Sequence, residues 1–347
     1  MREVQWLPWF AVRAGLGVLN LCALMLTAGP NAFAHTIHVP EDYPTIQAAV
    51  IAAEAGDIIR VGPGQWCGAR ITKQLDLEAE GGATIIGCPA GTPGPIGRRF
   101  RVGFFLNPAA SGTTIRHFTF DGQGWSPTNT DPLALGVDVF IQAANDVTVE
   151  DNRFLGGLIG VQAFGSGWSI HHNVFDGFTI DPVTGVGGAA IVLFNFLSRP
   201  TNNTVSFNKI TATVPAGTFP SFVTEINVPF LGVFAESQDS VIITNNTVSI
   251  VLGPGATGAT AGILVSDGPG IRGADLTSTN SVIVNNDGRG STYAVVITLD
   301  LFGGTGNTVN TTLRGNFGIN LINTTTTDVL NRSVHTLVEC DTSGVCP

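Results

Sequence analysis

Between Val147 and Phe175 the chain repeats itself: VTVEDNRF returns as WSIHHNVF after a glycine-broken connection. Each copy sets an apolar residue three positions before an Asn and an aromatic two positions after it. The triplets are Val149, Asn152, Phe154 and Ile170, Asn173, Phe175. A unit this short cannot bury its apolar face alone, so a repeat of this period constrains the chain to stack coil upon coil. Further copies stand at Val205, Asn208, Ile210 and at Ile243, Asn246, Val248, and Ile283 with Asn286 keeps the first two members. Upstream, Ile115, Phe118 and Phe120 carry the pattern with Phe in place of Asn.

A second series interleaves with the first. Short apolar runs open at Gly136, Gly160, Ala190, Gly232, Gly262, Ala294 and Gly318. The intervals are unequal, shortest from Gly136 to Gly160 and from Ala294 to Gly318, longest from Ala190 to Gly232. Each run alternates with the period of two that marks a strand. The shortest interval sets the length of a coil, and the excess in longer ones must leave the stack as loops. These features predict an all-β chain folded as a single-stranded right-handed parallel β-helix of about nine coils, the hand following from the crossover preference. The recurring Asn is expected at a bend, in left-handed backbone, bonded to its copies above and below.

Residues 1–34 have the makeup of an export signal: Arg2 and Arg13, an apolar run from Ala14 to Ala28, then Ala32-Phe33-Ala34. Cleavage near Ala34 leaves residues 35–347 as one β-helix domain, secreted to the periplasm or beyond. That part carries 14 basic and 25 acidic side chains, which disfavours nucleic acid and anionic membranes as partners. No later run reaches the ~18 apolar residues of a membrane span. Cys67 and Cys88 are one repeat apart, close enough for a disulfide between adjacent coils, and Cys340 with Cys346 closes a short terminal loop. Their spacing does not suit a metal site, and no residue pattern names a cofactor.

After the leader, Ile46, Ala49, Val50 and Ala53 share a helical face, with Thr45 placed to cap the start and Gly56 to end it. This capping helix is expected to cover the open end of the first coil. The surrounding sequence, PEDYPTIQAAVIAAEAGDIIRVGPGQW followed by LDLEAEGGATIIG, resembles the opening of right-handed β-helix proteins of the pectin lyase-like superfamily. That resemblance implies the architecture for nearly the whole mature chain, and it embraces lyases, hydrolases, esterases, epimerases and non-catalytic surface proteins. Asn129-Thr130-Asp131 is similar to the NTD of polygalacturonases, but Leu158 and Ile159 stand where paired aspartates should follow. Gln162-Ala163-Phe164 is faintly similar to a pectinesterase glutamine motif, without its partner motifs.

Two clusters are candidates for chemistry. Stacking the bends aligns Arg116 with Glu150 and Asp151, then with His171 and His172, which is a cation, two carboxylates and two imidazoles on rungs about 4.8 Å apart. General acid-base catalysis needs such neighbours, and a solvated ladder of alternating charge is the structural alternative. Aligning the openings also puts Val137, Val139, Val161, Ala163, Ile191, Leu193, Val233 and Ala235 inside, with Asp138, Phe140, Gln162, Phe164, Val192, Phe194, Phe234 and Glu236 outside. Of these, Asp138, Phe140, Gln162, Phe164, Phe194 and Glu236 suit sugar rings. The apolar row is either covered by a loop such as 211–230 or exposed, and if exposed it offers a surface for self-association. The expected function is binding or cleavage of an extracellular polysaccharide, by lyase- or hydrolase-like chemistry if it is an enzyme. The alternative is a non-catalytic surface or matrix protein.

Overall fold

Three sheets of parallel strands follow one another around each coil. They are seen in a computed structural model that describes residues 34–88, 101–123, 136–141, 143–180, 187–194, 198–217, 228–269, 275–276, 278–298, 311–323, 330–332 and 337–339. The first sheet has eleven strands, from Thr36–Val39 to Leu330–Arg332. The second has seven, from Gly64–Cys67 to Thr247–Leu252, and the third has ten, from Ala69–Ile71 to Leu337–Glu339. One coil runs through Thr148–Glu150, Arg153–Gly156 and Ile159–Ala163 before the next begins at Ser169–His171. This is a parallel β-helix, its right hand set by the crossover rule. The expected count of about nine coils falls between the seven strands of the second sheet and the eleven of the first. A two-stranded antiparallel pair, Gly268–Pro269 with Asp275–Leu276, stands outside the three sheets.

The first series of repeats builds the first sheet and the bend after it. Ile115, Val149, Ile170, Val205, Ile243 and Ile283 pair in one unbroken register, and Leu313 extends it. Each side chain of this column is buried. Across the interior, Phe120, Phe154 and Phe175 stack nearly parallel, with ring centroids 4.8 and 4.5 Å apart. Full burial of such a ring stabilises by about 1.5–3 kcal/mol.

The Asn residues form the expected ladder, and it is longer than its sequence pattern. Amide Nδ2 of Asn152 donates to Oδ1 of Asn173 at 3.1 Å, and the same link joins Asn173 to Asn208, Asn208 to Asn246, Asn246 to Asn286 and Asn286 to Asn316. Each Oδ1 also accepts from the backbone N–H of the preceding Asn, as Asn173 does from Asn152 at 3.0 Å. At the upper end Asn152 takes the backbone N–H of Phe118. One expectation is corrected here. The left-handed residue is the one before the Asn, or before Phe118 in the earliest copy: His117, Asp151, His172, Phe207, Asn245 and Asn285 all have φ between 53° and 66°, and Gly315 follows them. The Asn itself spends its amide on neighbouring coils and has no need of unusual backbone.

The third sheet corrects a register. Val137 pairs with Ile159, Val139 with Val161 and Phe140 with Gln162. Asp138 therefore stands opposite Gly160, and the opening at Gly136 lies two positions out of step with the one at Gly160. Alternation also breaks at the small residue of each run, since Val137 and Ile159 pack outward while Val139 and Val161, two positions on, pack inward. From Gly160 through Ala190, Gly232, Gly262 and Ala294 the alignment holds. This column faces inward and must be small: a Cβ on Gly160 would lie 2.5 Å from the Phe175 ring. Val137, expected inside, belongs with the outward cluster of Val102, Phe140, Ile159 and Leu231.

The helix spans Ile46–Ala52. Thr45 caps it, its hydroxyl accepting from Ala48 N–H at 3.1 Å, and it buries Ile46, Ala49 and Val50. It ends with Ala53 as cap, three positions before the Gly56 expected to stop it. Gln47 meets the backbone of Arg70 with both ends of its amide, at 2.8 and 3.4 Å. The outermost strand of the third sheet, Ala69–Ile71, is thus partly capped by a side chain. The Cys67–Cys88 disulfide forms as expected, with Cα atoms 5.6 Å apart. Cys340 and Cys346 lie outside the described residues, as do Asn129-Thr130-Asp131.

Candidate functional site at the first bend

Each first-sheet strand is three residues long here, with its middle side chain inside and its third outside. The third positions pair coil by coil as Arg60, Glu78, Arg116, Glu150 and His171. Stacked parallel strands thus bring Arg116, Glu150 and His171 together from well-separated positions in the chain. Arg116 Nη2 lies 2.9 Å from Asp76 and 3.5 Å from Glu78, while its Nη1 lies 3.8 Å from Glu150 Oε1. The other Glu150 oxygen is 3.4 Å from His171 Nε2. His171 Nδ1 and His172 Nδ1 are 3.0 Å apart.

This arrangement selects tautomers. A carboxylate beside His171 Nε2 holds a proton on that nitrogen, so in the neutral ring Nδ1 accepts and His172 Nδ1 donates. His172 Nε2 is then left as a basic lone pair on an exposed ring. The ring stacks on Phe207 of the next coil, with centroids 5.1 Å apart and planes within 5°. Glu150 and His171 side chains are 23% exposed, so water reaches the cluster without flooding it. Below them, burial raises Asp76 above the ordinary 3.8, against the pull of Arg116.

Of the five residues singled out at the bend, Arg116, Glu150, His171 and His172 form this chain of contacts. Asp151 sits on the exposed left-handed corner and makes no ion pair with the other four. Sequence alignment does not single out Arg60, Asp76, Glu78 or Phe207. The first three occupy earlier copies of the same outward strand, which lack the Asn signal.

The second candidate set lies on the third sheet and is sealed. Asp138, Phe140, Gln162 and Glu236 are at most 3% exposed, and Phe164 and Phe194 are half-buried. The outward aromatics pack edge to face, Phe140 on Phe164 at 5.3 Å and Phe164 on Phe194 at 4.7 Å. Val192, Phe234, Leu264 and Val296 of the same row are also buried. Asp138 corrects its expected placement. It stands between Gly103 and Gly160 in the inward column, where a Cβ on Gly103 would already lie 3.2 Å from Phe120. Both carboxylate oxygens lack a hydrogen-bond partner among the described residues, and burial raises its pKa well above 3.8, with repulsion from Asp121 adding to the effect. Apart from both sets, an open groove of about 410 Å³ between Asp176, Thr211, Thr213, Ser249 and Val251 runs over the second sheet.

The fold and the bend define a parallel β-helix with an outward charge column on its first sheet. No protein-family model and no curated protein matches the chain. Among solved structures it is similar to a DFA-IIIase from Arthrobacter chlorophenolicus A6 in complex with DFA-III, at 14% identity over 90% of this chain and 86% of that one, TM-score 0.43. It is also similar to a PL6 alginate lyase in complex with a trisaccharide, at 13% identity over 90% and 91%, TM-score 0.34. A third is the A-module of the Azotobacter vinelandii mannuronan C-5 epimerase AlgE4, at 14% identity over 85% and 93%, TM-score 0.27.

Proposed function

We propose that this chain is an exported carbohydrate-acting protein whose working face is the first bend. The observation that carries the reading is the surface relay of Glu150, His171 and His172. Glu150 orients His171, His171 fixes the His172 tautomer, and His172 Nε2 takes a proton from a substrate carbon or an attacking water. Arg116 sits on the far side of Glu150 and holds that carboxylate in place as the cation of the cluster. Asp151, on the neighbouring corner, reaches the same surface. Phe140, Gln162, Phe164, Phe194 and Glu236 remain the proposed substrate-contacting set on the third sheet, their access depending on what covers that face, while Asp138, turned inward, leaves the set. Export is supported by the leader-like Met1–Ala34 segment and by the Cys67–Cys88 disulfide, since such bonds persist in oxidising compartments.

The alternative is a non-catalytic rigid spacer at a cell surface or in a matrix. It is favoured by the charge column itself, because Arg60, Glu78, Arg116 and Glu150 pair with one another in alternation. One experiment separates the two. Purified protein lacking residues 1–34 is offered pectin, alginate, xylan, mannan and glycosaminoglycans, and release of reducing or unsaturated ends is measured. Glu150→Gln and His172→Ala are each expected to lower the rate by about a hundredfold or more. Wild-type protein that neither cleaves nor binds any of these polymers overturns the reading in favour of the spacer.

A further inference from the structure

Phe207 is out of place for a structural residue. It occupies the left-handed corner with φ 55°, a region that suits Gly and Asn and strains a bulky side chain. On the next two coils the same corner holds Asn245 and Asn285. Nor is the strain offset by burial, for Phe207 is 52% exposed and stacks on an exposed ring, that of His172. A large aromatic held in unfavourable backbone at a surface is the kind of local cost that accompanies binding sites.

Its surroundings narrow the ligand. On the C-terminal side the outward column continues from buried Ser206 to Thr244, and the corner as Asn245, so a hydroxyl and an amide stand beside the ring. On the N-terminal side the bend carries the carboxylates of Asp76, Glu78, Glu80, Glu150 and Asp151, set among the described residues against the guanidiniums of Arg60 and Arg116 and the imidazole of His117. That excess of negative charge repels a polyanion. Sugar rings have an apolar C–H face that suits an aromatic and hydroxyl edges that suit amide and hydroxyl side chains.

We infer that Phe207, with His172 and Asn245, forms a subsite for a neutral sugar unit, which makes the polymer bound at this bend an uncharged polysaccharide. The inference rests on the bend being the working face and adds both a binding residue and a substrate class. The sugar ring packs on the part of Phe207 that His172 leaves uncovered.

The test uses retention of purified protein lacking residues 1–34 on insoluble xylan, mannan and β-glucan, set against alginate and pectin. Wild-type protein is expected to favour at least one neutral polymer over both acidic ones. Phe207→Asn, which places the residue of the next two coils at this corner, is expected to weaken that retention tenfold or more while the melting temperature holds or rises. Phe207→Tyr keeps a ring and should retain most of the binding. Undiminished retention by Phe207→Asn, a lowered melting temperature with binding intact, or a preference for alginate or pectin each overturns the subsite. If His172→Ala abolishes cleavage while Phe207→Asn binds normally, the acid-base reading stands and the subsite alone falls. Wild-type protein inert on every polymer removes both.

Discussion

Glu150 and Asp138 are carboxylates on neighbouring coils of one solenoid, and they live in opposite conditions. Glu150 lies on the outer face of the first sheet, with Arg116 on one side, His171 on the other and water within reach. Asp138 lies in a column that otherwise holds Gly or Ala from Gly103 to Ala294, sealed from water, with neither oxygen bonded among the described residues. The coil dictates only where the side chain leaves the backbone. What stands at the same position one rung above and one rung below decides whether the charge is neighboured or stranded. Stacking gives Glu150 its chemistry and gives Asp138 two glycines.

The comparison can be tested from its strongest contrast downward. Asn173→Ala should destabilise most, by about 3 kcal/mol or more, because it removes the side-chain partner of the Asn152 backbone N–H and of the Val149 carbonyl and takes one bond from each neighbouring ladder amide, at about 1–3 kcal/mol for each buried group left unpaired. Thermal or denaturant unfolding reads this directly. A loss no larger than that of His171→Ala would mean the ladder does not hold the bend.

Asp138→Ala should do the reverse and stabilise, by about 1–3 kcal/mol at pH 8, since it removes a buried polar group with nothing to bond. The gain should shrink toward pH 4. The folded chain keeps a proton on Asp138 at pH values where the unfolded chain has lost it, so wild-type stability falls as pH rises above about 3.8 until the raised native value is passed. Parallel unfolding curves for wild type and variant at both pH values would show that Asp138 is not stranded.

Glu150→Gln should change stability least, by about 1 kcal/mol or less, because its ion pairs are partly exposed and screened. The change should diminish further in high salt. A loss several times larger would shift Glu150 from a reactive surface group to a structural one.

The first sheet and its Asn bend were legible in the sequence because both signals survive in single residues: an apolar side chain three positions before an amide. Asn316 keeps half of that signal through Leu313, but Gly318 stands where an apolar residue should be, and the pattern breaks there. The third sheet was less legible. Its runs are apolar on both faces, so period-two alternation says little about which side is which. The break in alternation at the small residue then put Asp138 and Val137 on the faces opposite those expected. The better guide was the small residue inside each run, which marks where the strand meets the Phe120, Phe154 and Phe175 stack. At the site, the alternation of charge was readable from aligned bends. Which His nitrogen carries a proton, and that Phe207 stacks on His172, are consequences of rotamers that no alignment of letters contains.

The Asn ladder has a bearing on how such a chain can change over generations. Successive rungs are separated by 21, 35, 38, 40 and 30 residues, yet the amide link between them stays between 2.9 and 3.1 Å. The spacing of the coils is therefore indifferent to how much chain is spent between two bends. Lengthening a connection leaves the next rung where it was, so insertions and deletions at the turns become nearly silent for the scaffold while they redraw what hangs from its flank. A lineage built on this ratchet can trade whole loops as others trade single side chains.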